Sequence, residues 1–105
     1  MKEAPLFVDA YQMSLQIFEL ELSPTVVADR VRAYALDFVE AVALALRGED
    51  VPKHLEDADA TLLRLRLSLR LLIDLEPRPI LITLTEKIDG MGRQIGGWKR
   101  KLGRR

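Results

Sequence analysis

The chain contains no cysteine and a single histidine, His54. Disulfides, thiolate zinc sites and cysteine nucleophiles are therefore excluded, and one imidazole leaves too few nitrogen ligands for a usual zinc or haem site. No run of eighteen uninterrupted apolar residues occurs, and the opening Met1-Lys2-Glu3-Ala4-Pro5 lacks the hydrophobic stretch of a signal peptide. The expectation is a cytoplasmic protein with no membrane partner. There is no glycine-rich loop after a strand, no Gly-x-Ser-x-Gly elbow and no Glu-x-x-His pattern for a carboxylate-bridged metal. The chain thus reads as non-enzymatic, with no cofactor and no metal. His54 reads as a connector or cap residue before the third helix, and Glu49/Asp50 and Glu56/Asp57/Asp59 as loop solvation and favourable first-turn charge.

What is present is a folding composition. At 105 residues, 49% apolar and 30% charged, the chain suits one domain with one core. Its net charge is zero, yet residues 1–60 carry five Lys/Arg against twelve Asp/Glu, and residues 61–105 eleven against four. Such an electrically bipolar object either offers its basic half to an acidic or polyanionic partner, or pairs acidic and basic helices internally. Charge alone leaves both open.

Apolar periodicity predicts an all-α protein, an up-down-up-down antiparallel four-helix bundle with helices at about 5–22, 24–47, 55–75 and 81–102. In the first helix Phe7, Tyr11, Phe18 and Leu22 form one stripe, with Leu6, Ala10, Met13, Ile17 and Leu20 beside it. Ser23-Pro24 reads as N-cap and first helical residue of the second helix, whose Val27, Val31, Tyr34, Phe38, Val42 and Ala45 face inward. Gly48 suits the C-cap, and residues 49–52 the connector. Pro77 and Pro79 end the third helix. In the fourth, Leu84, Ile88, Met91, Ile95, Trp98 and Leu102 follow the spacing of a near-parallel packing seam. The β-like run Ile80-Leu81-Ile82-Thr83 is too short and isolated for a sheet.

The third helix has more apolar surface than one core needs. At roughly 100° per position, Leu62, Leu65, Leu69, Leu72 and Ile73 face the bundle, while Leu63, Leu67 and Leu71 form a second stripe more than a third of a turn away. That second stripe calls for a cover, either another molecule or a flanking helix crossing at an angle. Arg66 and Arg70 lie between the stripes, with Asp74 one turn beyond Arg70. Arginines among leucines need partners or water, and arginine suits two-pronged recognition of carboxylate or phosphate.

The fourth helix contains Gly90, Gly92, Gly96 and Gly97, each costing on the order of 1 kcal/mol relative to alanine. Close helix contact is the favoured reason for them. Its end, Lys99-Arg100-Lys101-Leu102-Gly103-Arg104-Arg105, holds five basic residues in seven, and Arg93 lies two turns before Arg100 on a similar face. Such a cluster can neutralise phosphates with little base discrimination, or complement the helix dipole. No aromatic residues interleave with it, so stacking on unpaired bases is not supported.

Two stretches carry a family resemblance: residues 58–72, Ala-Asp-Ala followed by leucines and arginines, and residues 92–98, Gly-Arg-Gln-Ile-Gly-Gly-Trp. They resemble, in order and on the matching helices, the Ala-Asp-Ala…Leu-Arg-x-x-Leu-Arg-x-Leu segment and closing Gly-Arg-x-(Leu/Ile)-Gly-(Gly/Ser)-Trp of the accessory variability determinant (Avd) proteins of diversity-generating retroelements. The resemblance implies a non-enzymatic four-helix bundle that assembles as a barrel-shaped homopentamer and binds a reverse transcriptase and its template RNA or cDNA. Arg66 and Arg70 would contact polymerase or nucleic acid, Leu63, Leu67 and Leu71 would pack subunits, and Arg93, Lys99, Arg100, Lys101, Arg104 and Arg105 would widen the basic surface. The chain departs from the family in charge, since such proteins are typically markedly basic. Bundles of the ribosomal RNA intervening-sequence type share the architecture and are the alternative; the closing Gly-Arg…Trp motif favours Avd.

Overall fold

Proline marks where three of the helices begin. The computed structural model describes residues 4–103 as four helices: α1 (Pro5–Glu19), α2 (Thr25–Leu46), α3 (Val51–Leu75) and α4 (Pro79–Gly103). Pro5, Pro52 and Pro79 each sit in the first turn, where a missing N–H costs nothing and the fixed φ is already helical. Two expected boundaries change for this reason. Val51 and Pro52 belong to α3 rather than to a connector, which places His54 in the first turn with its N–H donated to the Asp50 carbonyl. Pro79 opens α4, so the β-like residues 80–83 are helical and Leu81 is buried.

The other connectors differ in smaller ways. Helix α1 ends at Glu19, three residues earlier than expected, and Leu20 continues as extended backbone. Pro24 is itself the residue before the first turn of α2; its carbonyl accepts from Ala28, and Ser23 supplies no side-chain cap. After α2, Gly48 takes φ +88°, the left-handed turn expected of a glycine there. Asp50 is also left-handed, at φ 49°, a conformation asparagine and aspartate tolerate better than most residues.

Each helix packs against its neighbours in the cyclic order α1–α2–α3–α4–α1, most extensively α2 on α3 and least α1 on α4; the backbones of the diagonal pairs stay farther apart. Side-chain bonds show the antiparallel run. Gln94 donates to Asp9 and Lys87 to Gln16, so α4 descends as α1 rises. This is the up-down-up-down four-helix bundle, 45 × 26 × 21 Å. Among the described residues there is no strand, and no helix is long and apolar enough to cross a membrane.

One core runs the length of the bundle. Leu62, Leu65, Leu69 and Leu72 of α3 and Leu84, Ile88, Met91 and Ile95 of α4 are buried as the spacing predicts, with Ile73, Trp98 and Leu102 packed at its edge. From α2 come Val31, Phe38, Val42 and Ala45, with Val27 and Tyr34 half-buried. Helix α1 chooses between its two stripes: Leu6, Ala10, Met13 and Ile17 go inside, while Tyr11 and Phe18 stay about half exposed. Small residues explain the choice. Ala10 on α1 and Ala28 and Ala35 on α2 are buried, and Ser14 donates to the Ala35 carbonyl at 3.3 Å, a close approach that a row of aromatic rings would prevent.

Urea unfolding tests this packing: Leu65→Ala should cost roughly 2–5 kcal/mol through lost contacts and a cavity. Gly48→Ala should cost about 1 kcal/mol or more through its positive φ alone.

Candidate interaction site on the third and fourth helices

The outward side of α3 is apolar. Leu63, Leu67 and Leu71 are 58%, 55% and 47% exposed, and Leu75 extends the row by another turn. Spacing of four residues turns the row gradually around the helix, from the α4 side at Leu63 to the α2 side at Leu75. No helix of the same chain covers it, which removes the crossing-helix explanation.

Beside this row, α3 and α4 enclose an open groove of about 660 Å³. Leu62, Ile88, Gly92 and Gly96 form its floor, and Asp59, Leu63, Arg66, Asp89, Arg93 and Arg100 its sides. The glycines shape it. A Cβ added at Gly92 would meet Leu62 Cδ2 at 3.6 Å, an ordinary contact, and one at Gly96 would meet only the Arg100 guanidinium. Gly90 and Gly97 likewise face only arginine side chains. The expected close helix approach is therefore not what these residues serve inside one chain. At Gly92 and Gly96 they keep the groove floor bare.

Arg66 lies across the groove from Asp89, donating through Nε at 2.7 Å and Nη2 at 3.3 Å. The two-pronged hydrogen bond from Arg66 holds the Asp89 carboxyl below the usual carboxylate range and raises the Arg66 guanidinium in turn. Asp89 was not legible from α3: its partner lies 23 residues away on another helix, and spacing within one helix cannot reveal it. Arg70 and Asp74 form no ion pair, so the local (i, i+4) contact weighed from sequence is not made.

Residues 99–103 are the last turns of α4 rather than a tail. Lys99 reaches back to α3, 2.6 Å from Glu56 and 3.4 Å from Asp59, and the Glu56 hydrogen bond foremost raises its pKa. Glu56 and Asp59 thus do more than solvate a first turn; they bind the basic end of α4 to the acidic half of the chain. Arg93 and Arg100 come together on the groove wall, and Lys101 is exposed outside it. Arg104 and Arg105 lie outside the described residues. Among the described residues no three potential metal-ligating groups cluster. No family model, curated protein or solved structure matches the chain.

Two measurements follow from this geometry. Carboxyl NMR should place the Asp89 titration below that of an ordinary aspartate, and Arg66→Gln should return it upward. Since a depressed carboxylate stabilises only while ionised, the Arg66 contact should hold at neutral pH and be lost as pH falls through that depressed value. Gly96→Ala should raise stability by up to about 1 kcal/mol in thermal melts, because nothing but a movable arginine stands in the way.

Proposed function

We propose that the chain is a non-enzymatic accessory protein of a diversity-generating retroelement, acting in the cytoplasm. It works as a homo-oligomer, a pentamer by resemblance, that binds the element's reverse transcriptase and its template RNA or cDNA and so supports mutagenic copying. The observation that carries this reading is the outer side of α3, where an exposed leucine row is bordered by arginines and none of the described residues lies over it. A surface of that kind marks an interaction site. The two stretches that resemble Avd also lie side by side, since Gly92 of one faces Leu62 of the other across the groove floor.

The division of labour follows from which cations are already engaged. Arg66 is held by Asp89, and Lys99 by Glu56 and Asp59. Contact with phosphate through either requires a carboxylate to be displaced. Arg70, Arg93, Arg100 and Lys101 make no ion pair among the described residues. Arg93, Arg100 and Lys101, with Arg104 and Arg105, supply the RNA-facing charge, and Arg66 and Arg70 beside the leucines supply the polymerase-facing surface.

Arg66→Ala/Arg70→Ala should weaken capture of the neighbouring reverse transcriptase while leaving far-UV circular dichroism unchanged; undiminished capture contradicts that role. Truncation after Trp98 should lower both RNA affinity and its salt dependence, with a smaller negative slope of log affinity against log salt. An unaltered slope assigns the basic end to bonding with α3 alone.

A further inference from the structure

The cleft between α2 and α3 holds more negative charge than the chain itself neutralises. Asp37 and Glu40 of α2 and Asp57 of α3 line it, in a volume of about 350 Å³. All three carboxylates are exposed, and none forms an ion pair among the described residues. Arg64 lines the same cleft and is equally without an ion pair. Counting His54 at the cleft's end as neutral, three carboxylates against one arginine leave two negative charges unbalanced.

The cleft floor supplies an independent observation. Thr61 lines it, is only 8% exposed, and makes no hydrogen bond through its hydroxyl. A hydroxyl inside a helix can bond the carbonyl four residues back, as Ser68, Thr83 and Thr85 do to Arg64, Pro79 and Leu81. Thr61 does not. Its oxygen is not sealed from solvent, so it keeps its bonding capacity for whatever enters the cleft.

The carboxylates are spread along the cleft rather than gathered at a point. Among the described residues no three ligating groups cluster as a single metal ion requires. Helices α2 and α3 run antiparallel from a short turn between Leu46 and Val51. Counting away from that turn, Glu40 comes level with Asp57, and Asp37 with Ala60 and Thr61. The two levels stand about 5 Å apart along the helices, the reach of a few methylenes. Ala41 forms the floor between them with Thr61, and Leu44 and Ala60 give the sides apolar surface.

We propose that this cleft binds a linear diamine or polyamine, a methylene chain with an ammonium at each end. One ammonium sits between Glu40 and Asp57. The other meets Asp37 and donates to the Thr61 hydroxyl, and the methylenes lie over Ala41. A single lysine side chain from a partner brings one cation, whereas the cleft has two charges to balance. The site is separate from the leucine row and from the α3/α4 groove, and it stands or falls independently of the proposed function.

Calorimetric titration of the full chain with 1,4-diaminobutane at low salt tests this, with 1-aminobutane as the one-cation control of equal length. The diamine should bind one saturable site and bind about tenfold or more tightly than the monoamine. Glu40→Gln/Asp57→Asn should weaken the diamine about tenfold, and Glu19→Gln/Glu21→Gln, the same charge loss outside the cleft, should leave it unchanged. Thr61→Val should weaken it several-fold while Thr61→Ser retains it; the carboxylate pair is exposed and keeps the result readable if Thr61→Val does not fold. Absence of saturable binding, equal affinity for the monoamine, or an equal loss in the two double variants overturns the proposal.

Discussion

A helix at the corner of a four-helix bundle has one side to bury, and α3 carries leucines on two. Full burial of a leucine contributes roughly 1.5–3 kcal/mol relative to exposure, so the inner row alone anchors the helix against α2 and α4. The outer row gains about half of that from its own helix and neighbours and leaves the rest unrealised. Polar residues at Leu63, Leu67 and Leu71 would cost the isolated bundle little, because those side chains support none of its core. Leucine at these positions makes physical sense where a further surface comes to meet it.

Charge follows a similar division between internal and external use. The acidic and basic halves of the chain do pair across α3 and α4, through Glu56, Asp59 and Lys99. The internal-pairing reading of the bipolar sequence therefore holds in part. The pairs leave Arg70, Arg93 and Arg100 outward on the α3/α4 side, while Arg64 shares a cleft between α3 and α2 with Asp37 and Glu40. The bare glycines along α4 add an open groove between α3 and α4.

Helix number, order and the inner faces of α2, α3 and α4 were legible because apolar residues recur there at steps of three and four with polar residues between. Helix α1 was not, since it is apolar on two adjoining sides and periodicity cannot choose between them. The choice is made by the alanines of α2, residues that contribute little to any hydrophobic count. Proline was the other source of error: Pro52 and Pro79 were read as breaks, but each also begins the next helix. The Arg66–Asp89 pair and the α2/α3 cleft depend on which helices become neighbours, and no single-helix pattern encodes that.

The outer side of α3 is open to direct measurement because the chain has no cysteine of its own. A single Leu67→Cys substitution can be labelled with a thiol reagent over a dilution series, with Leu65→Cys as the buried reference and Ala33→Cys as the exposed one. If a second molecule seats on the leucine row, labelling at position 67 is slow in concentrated protein and rises towards the exposed reference on dilution, while position 65 stays slow throughout. Labelling at position 67 that equals position 33 at every concentration contradicts it.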